Sequence, residues 1–125
     1  MTKIWTALGI TILIFTLAFT ELNLTKDTSD VLVEIIEKTE ISAKNNSNET
    51  ESLCGDIKDL WDKRKFELEL FLPHNEMDQI DISIENLKRY CEIGNFEKVY
   101  IECGILKNYI NSMVDSEGIN FHNLF

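Results

Sequence analysis

Hydrophobic and polar positions follow two regimes along this chain. From Ile4 to Thr20 it reads IWTALGITILIFTLAFT, with no charge between Lys3 and Glu21. At ~1.5 Å rise per residue a helix over this run spans roughly 25 Å, the short end of a bilayer crossing. Leu22 and Leu24 can lengthen it past Glu21, and Trp5 lies near one end, where an amphipathic ring suits the interface. Thr6, Thr11, Thr16 and Thr20 can bond back to their own helix. Beyond residue 27 the apolar positions recur at intervals of three and four, the period of amphipathic helices.

Four such helices are predicted. The first covers about 28–43, with Val31, Leu32, Ile35, Ile36, Thr39 and Ala43 on one face and Asp27 as its cap. The polar run from Asn45 to Asn48 is a turn, and Asn48 with Glu51 resembles a capping box for a second helix over 49–72. That helix carries Leu53, Ile57, Leu60, Trp61, Leu68, Phe71 and Leu72 and stops at Pro73. Asn75 can cap a third helix over 76–92, whose seam is Met77, Ile80, Ile84, Leu87 and Cys91. Gly94 suits a left-handed helix end, and Asn95 opens a fourth helix over 96–117 with the seam Phe96, Val99, Cys103, Leu106, Ile110 and Met113. Gly118 closes it, and the apolar tail over 119–125 is expected to dock on the bundle. The alternation of Ile80, Ile82 and Ile84 is too short to compete as a strand. The segment around Leu53-Cys54-Gly55 resembles that around Glu102-Cys103-Gly104, as two repeated hairpins would. The fold class is therefore all-α: one N-terminal transmembrane helix over 1–24, then a four-helix domain over 25–125 of two stacked antiparallel helical hairpins.

An uncleaved signal-anchor fits the apolar run better than a cleaved signal peptide, because Ala18-Phe19-Thr20 makes a poor cleavage site. Secretion after cleavage is the alternative. Lys3 and the α-amine flank one side and Lys26 the other, a weak bias toward a single-pass chain in the cell membrane with its N-terminus inside. The domain would then be extracytoplasmic.

Charge narrows the partners. The chain has 12 Lys and Arg against 22 Asp and Glu, a net −10. Removing Lys3 leaves 11 against 22, a net −11 for everything after the apolar run. Such a surface repels phosphate backbones and anionic headgroups, which argues against nucleic acid and against a second, peripheral membrane contact. The one basic cluster, Lys63-Arg64-Lys65, reads as a solvated helix face. Cys54, Cys91 and Cys103 lack zinc or redox spacing and read as small buried hydrophobes, with one disulfide open to them outside the cytosol. Three sequons, at Asn23, Asn45 and Asn48, are read as incidental, since a chain rich in Ile, Asn, Lys and Glu suggests an AT-rich bacterial genome.

Candidate chemistry is sparse. His74, Glu76, Asp78, Asp81 and Glu85 stand at the start of the third helix, where positions 74, 78, 81 and 85 share a face. One imidazole and several carboxylates could ligate a divalent cation, or His74 and Glu76 could exchange a proton. The same carboxylates also offset the positive end of the helix dipole, which is the commoner role. The sequence has no phosphate loop, nucleophile elbow or paired-His motif, and no cofactor is implied.

Taken together, these features resemble the bacterial family catalogued as domain of unknown function 4363, found mainly in Firmicutes. The matching parts are the N-terminal span, Leu60-Trp61 with Lys63 and Lys65, the apolar Phe71-Leu72, the stretch His74-Asn-Glu76-Met77-Asp78-Gln-Ile80, the helix around Leu87, the helix with Leu106 and Ile110, and the ending Asn123-Leu124-Phe125. At the first turn the chain departs from the family, carrying Asn48, Thr50 and Ser52 where Trp and Ala are usual. The resemblance implies no particular activity. It suggests association with a small multi-span membrane protein.

The expected function is a non-catalytic, membrane-anchored interaction module acting with another membrane or envelope protein. Its contacts would use Phe66, Leu70, Ile82 and Tyr109, or the tail residues Phe121, Leu124 and Phe125. The alternatives are a metal-binding sensor or hydrolase built on the His74 cluster, and a homo-oligomeric structural envelope protein.

Overall fold

A computed structural model describes residues 2–70 and 72–124, apart from the side chains of residues 21, 22 and 116–124. It consists of α1 (Thr2–Lys44), α2 (Glu49–Glu69), α3 (His74–Glu92) and α4 (Phe96–Leu124), with no strand among the described residues. The chain is all-α, but the apolar run and the first predicted domain helix are one helix rather than two. Asp27 caps nothing. Neither Pro nor Gly stands between Glu21 and Asp27, and each residue added to an existing helix gains a hydrogen bond without a new nucleation cost.

The ends of the other helices also differ from expectation, each for a local reason. Asn48 is already helical (φ −66°, ψ −15°) and its side chain makes no cap bond, so there is no capping box. Ser47 does that work: its Oγ accepts from the Glu49 amide at 3.3 Å, and its carbonyl accepts from Thr50 Oγ1 at 2.8 Å. Asn46 takes the positive φ of 52° in this turn, a conformation Asn tolerates. Helix α2 stops at Glu69, short of Pro73, because the residue before a proline is pushed out of helical geometry. Pro73 is extended (ψ 140°) and precedes α3 directly, so Asn75 lies inside the first turn and is not a cap. Gly94 does take a left-handed φ of 71°, and Asn95 Oδ1 does accept from the Lys98 amide at 3.2 Å. Gly118 does not end α4, since one glycine costs only about 1 kcal/mol in a helix interior. Docking of a separate tail by Phe121, Leu124 and Phe125 lies outside the described side chains.

Short turns make successive helices antiparallel, and α1 packs on α2, α2 on α3, α3 on α4 and α4 back on α1. This is a closed up-down-up-down bundle, within which α1–α2 and α3–α4 are the two hairpins. Most of the seam positions are formed as read: Leu32, Ile36, Ile57, Trp61, Leu68, Met77, Ile80, Leu87, Val99, Cys103, Leu106, Ile110 and Met113 are fully buried, whereas Ile35, Leu53, Leu60 and Phe96 are half-buried, Val31 is exposed, and Phe71 lies outside the described residues. The N-terminal part of α1 stands apart from this core. Its most apolar window has a mean hydropathy of 1.8 and 0% of it is buried, and α1 is the one described helix long and apolar enough to cross a membrane. A signal sequence has the same character. Each of Thr6, Thr11, Thr16 and Thr20 donates its hydroxyl to the carbonyl four residues earlier, at 2.8–2.9 Å, which removes the polar group from the apolar surface.

Candidate functional site

The His74 region does not form a ligand cluster. His74 and Asp78 are exposed and Glu76 is half-buried. Glu85 lies 3.9 Å from Arg89, one turn further along α3. Asp81 is engaged elsewhere: its Oδ1 accepts from Trp61 Nε1 at 2.6 Å and its Oδ2 meets Lys65 Nζ at 2.7 Å. Among the described residues no three His, Cys, Asp or Glu side chains are placed to hold a metal ion. The expected metal set His74, Glu76, Asp78 and Asp81 is therefore not gathered into one ligand group among the described residues. A shared face along one helix is not enough when the neighbouring helix supplies a cation and an indole to the central carboxylate.

The cross-helix polar contacts lock the bundle instead. Lys65 is held protonated above its ordinary range, first by its hydrogen bond to Asp81. Lys107 pairs with Glu40 between α4 and α1, and that hydrogen bond raises its pKa in the same way. Ser83 donates to the buried Glu102 at 2.8 Å between α3 and α4, and Ser42 and Thr50 share a 2.7 Å hydrogen bond between α1 and α2. Cys54 and Cys91 are joined as a disulfide between α2 and α3, so these two are not separate buried thiols. Cys103 remains free and fully buried, and desolvation pushes its pKa up to about 12.

What remains unsatisfied is apolar surface. Phe66 and Leu70 at the end of α2 are 72% and 67% exposed, and Ile82 on α3 is also exposed. Tyr109 differs from expectation: it packs against the core as a half-buried residue. A second set escaped the sequence reading. Ile41, Ile93, Tyr100, Ile101 and Ile105 are all exposed near the end of the bundle farthest from the apolar part of α1. Ile41 and Tyr100 line opposite walls of an open groove between α1 and α4, with Glu37, Glu40, Lys44 and Lys107 around it. Ile101 and Ile105 stand one turn apart beside Tyr100. Their deviation from the buried Val99–Cys103–Leu106 seam was the signal available in the sequence.

The family described as "Domain of unknown function (DUF4363)" matches residues 18–124, nearly all of the chain beyond the apolar run. The chain belongs to the DUF4363 family. No curated protein and no solved structure matches it. The match begins inside the apolar part of α1 and continues through α4, so it takes in the whole bundle and the end of the helix that joins it to the apolar run.

Proposed function

We propose that this DUF4363 protein is a non-catalytic, membrane-tethered helical module that binds another membrane or envelope protein from the extracytoplasmic side. The observation that carries the reading is the combination of a closed core with large apolar side chains left outside it at the far end: Ile41, Tyr100, Ile101 and Ile105. Ile41 and Tyr100 share one groove and Ile101 and Ile105 stand one turn apart, next to Tyr100 in sequence, and large apolar groups gathered at one end of an otherwise acidic surface support a contact site there. The unburied apolar part of α1 supports a tether, since side chains of that kind need a hydrocarbon environment that the bundle does not supply. The structure brings Cys54 and Cys91 together, a pairing that an extracytoplasmic domain can keep oxidised.

The test is photo-crosslinking in native membranes from a photoreactive residue at Ile101, with Ile82 as an exposed control on α3. One membrane or envelope protein crosslinked from position 101 and not from 82 supports the proposal. Self-crosslinks alone would establish a homo-oligomer in its place, and identical patterns from both positions would reject a specific site.

A further inference from the structure

The register of the bundle places Phe66 and Leu70 beside the mouth of the membrane span. Ser42 and Thr50 touch across the α1–α2 turn. The two helices run antiparallel from that point, so each step along α2 matches a step back along α1. Leu70 therefore stands level with residue 22 of α1, and Phe66 level with residue 26. The apolar run of α1 ends at this height. Lys63, Phe66 and Leu70 are spaced by three and four residues and share one stripe of α2. All three are exposed, and Lys63 joins no ion pair among the described residues.

We infer that this stripe is a second membrane contact, with Leu70 and Phe66 entering the headgroup–acyl boundary and Lys63 reaching the phosphates. The order along the helix is the one an interface demands: Leu70 lowest, the aromatic ring of Phe66 one turn higher, the cation above both. Lys26 on α1 is exposed at the same height. The net negative charge of the domain argues against such a contact for a free protein. The tether changes this, because the contact becomes intramolecular and no bulk association step is needed. Lys65 is paired with Asp81 and Arg64 lies 3.9 Å from Glu67, while the exposed Asp27, Asp30 and Asp78 join no ion pair among the described residues, so the contact rests on Leu70, Phe66 and Lys63 and not on net charge. Two contacts, the span and the stripe, would fix how the bundle stands on the membrane and hold the Ile41–Tyr100 groove away from it.

The inference rests on the tether reading, and the experiment separates the two. The full chain is reconstituted into phosphatidylcholine–phosphatidylglycerol vesicles with and without acyl-brominated lipid, which quenches nearby tryptophan. The parent protein reports Trp5, because Trp61 is only 1% exposed within the bundle. In a Trp5→Phe background, Phe66→Trp and Leu70→Trp each add one reporter on the stripe, and Ile101→Trp adds one at the far end. Strong quenching at positions 66 and 70, with none at 101, is the expected result. Quenching of Trp5 without quenching at 66 and 70 would overturn the second contact and leave the tether, and Phe66 and Leu70 would then be free for a protein partner. No quenching of Trp5 would remove the tether itself, and the contact with it.

Discussion

Asp81 shows how one residue changes meaning between chain and fold. Along the sequence it belongs to a row of acids beside His74. In the bundle it accepts the Trp61 indole N–H at 2.6 Å and meets Lys65 at 2.7 Å, tying α3 to α2. The sequence could not show this, because spacing along a helix reveals neighbours on that helix only. Asp81→Ala should lower the unfolding free energy by about 1–3 kcal/mol, since it leaves the buried indole donor without an acceptor. Asp81→Asn should lose less, and urea denaturation compares the two. Cys103 carries a second residue-level expectation. Its pKa is raised from 9.0 to about 12, so the folded chain keeps a proton that the unfolded chain releases. That contribution to stability is whole below pH 9.0 and declines as pH rises toward about 12. At ~1.4 kcal/mol per pH unit the loss reaches at most about 4 kcal/mol. Denaturation across this window should show a shallower decline for Cys103→Ala than for the parent. The native thiol should also resist alkylating reagents, because the thiolate is the reactive form.

At the level of elements, the helices were legible and most of their ends were not, the Gly94–Asn95 turn being the exception. The α2 to α4 seams follow directly from the three–four spacing, but the buried polar positions Thr50, Ser83 and Glu102 beside them do not, because their burial depends on partners on the neighbouring helices. The fusion of the apolar run with the first bundle helix was not, because Asp27 looks like a cap when read locally. A capping residue acts only where the helix has a reason to start, and the absence of a breaker from residue 21 to 27 gives none. The continuous α1 should therefore protect the amides over 21–30 from hydrogen exchange. Lys26→Pro should abolish that protection, since an interior proline costs about 3 kcal/mol or more of helix stability. Absence of protection over 21–30 in the parent would mean that the helix is already broken there. Gly94 is the end most tightly specified by sequence, with its φ of 71°. Gly94→Ala should destabilise by about 1 kcal/mol, read as a shift in the thermal midpoint.

For the whole molecule, the Cys54–Cys91 disulfide joins α2 to α3 across a sequence separation of 37 and closes the central hairpin of the bundle. Replacing both residues with Ser should cost about 2–4 kcal/mol in the oxidised protein and nothing beyond that under reducing conditions. Mass spectrometry of the chain from its native compartment should find these two cysteines bonded and Cys103 free. The sequence by itself determined the all-α class, the apolar run, the four amphipathic segments and their buried faces, because hydrophobic period and local propensity are properties of neighbouring residues. It also placed Phe66 and Leu70 outside the core seams. Only the tertiary structure decided which carboxylate meets which cation, which two of three cysteines join, and that α1 runs unbroken from the apolar run into the bundle. It alone brought Ile41 opposite Tyr100 and set Leu70 level with the end of the span. These are distances between residues far apart in the chain, fixed by how four helices close their common core and by no pattern along any one of them.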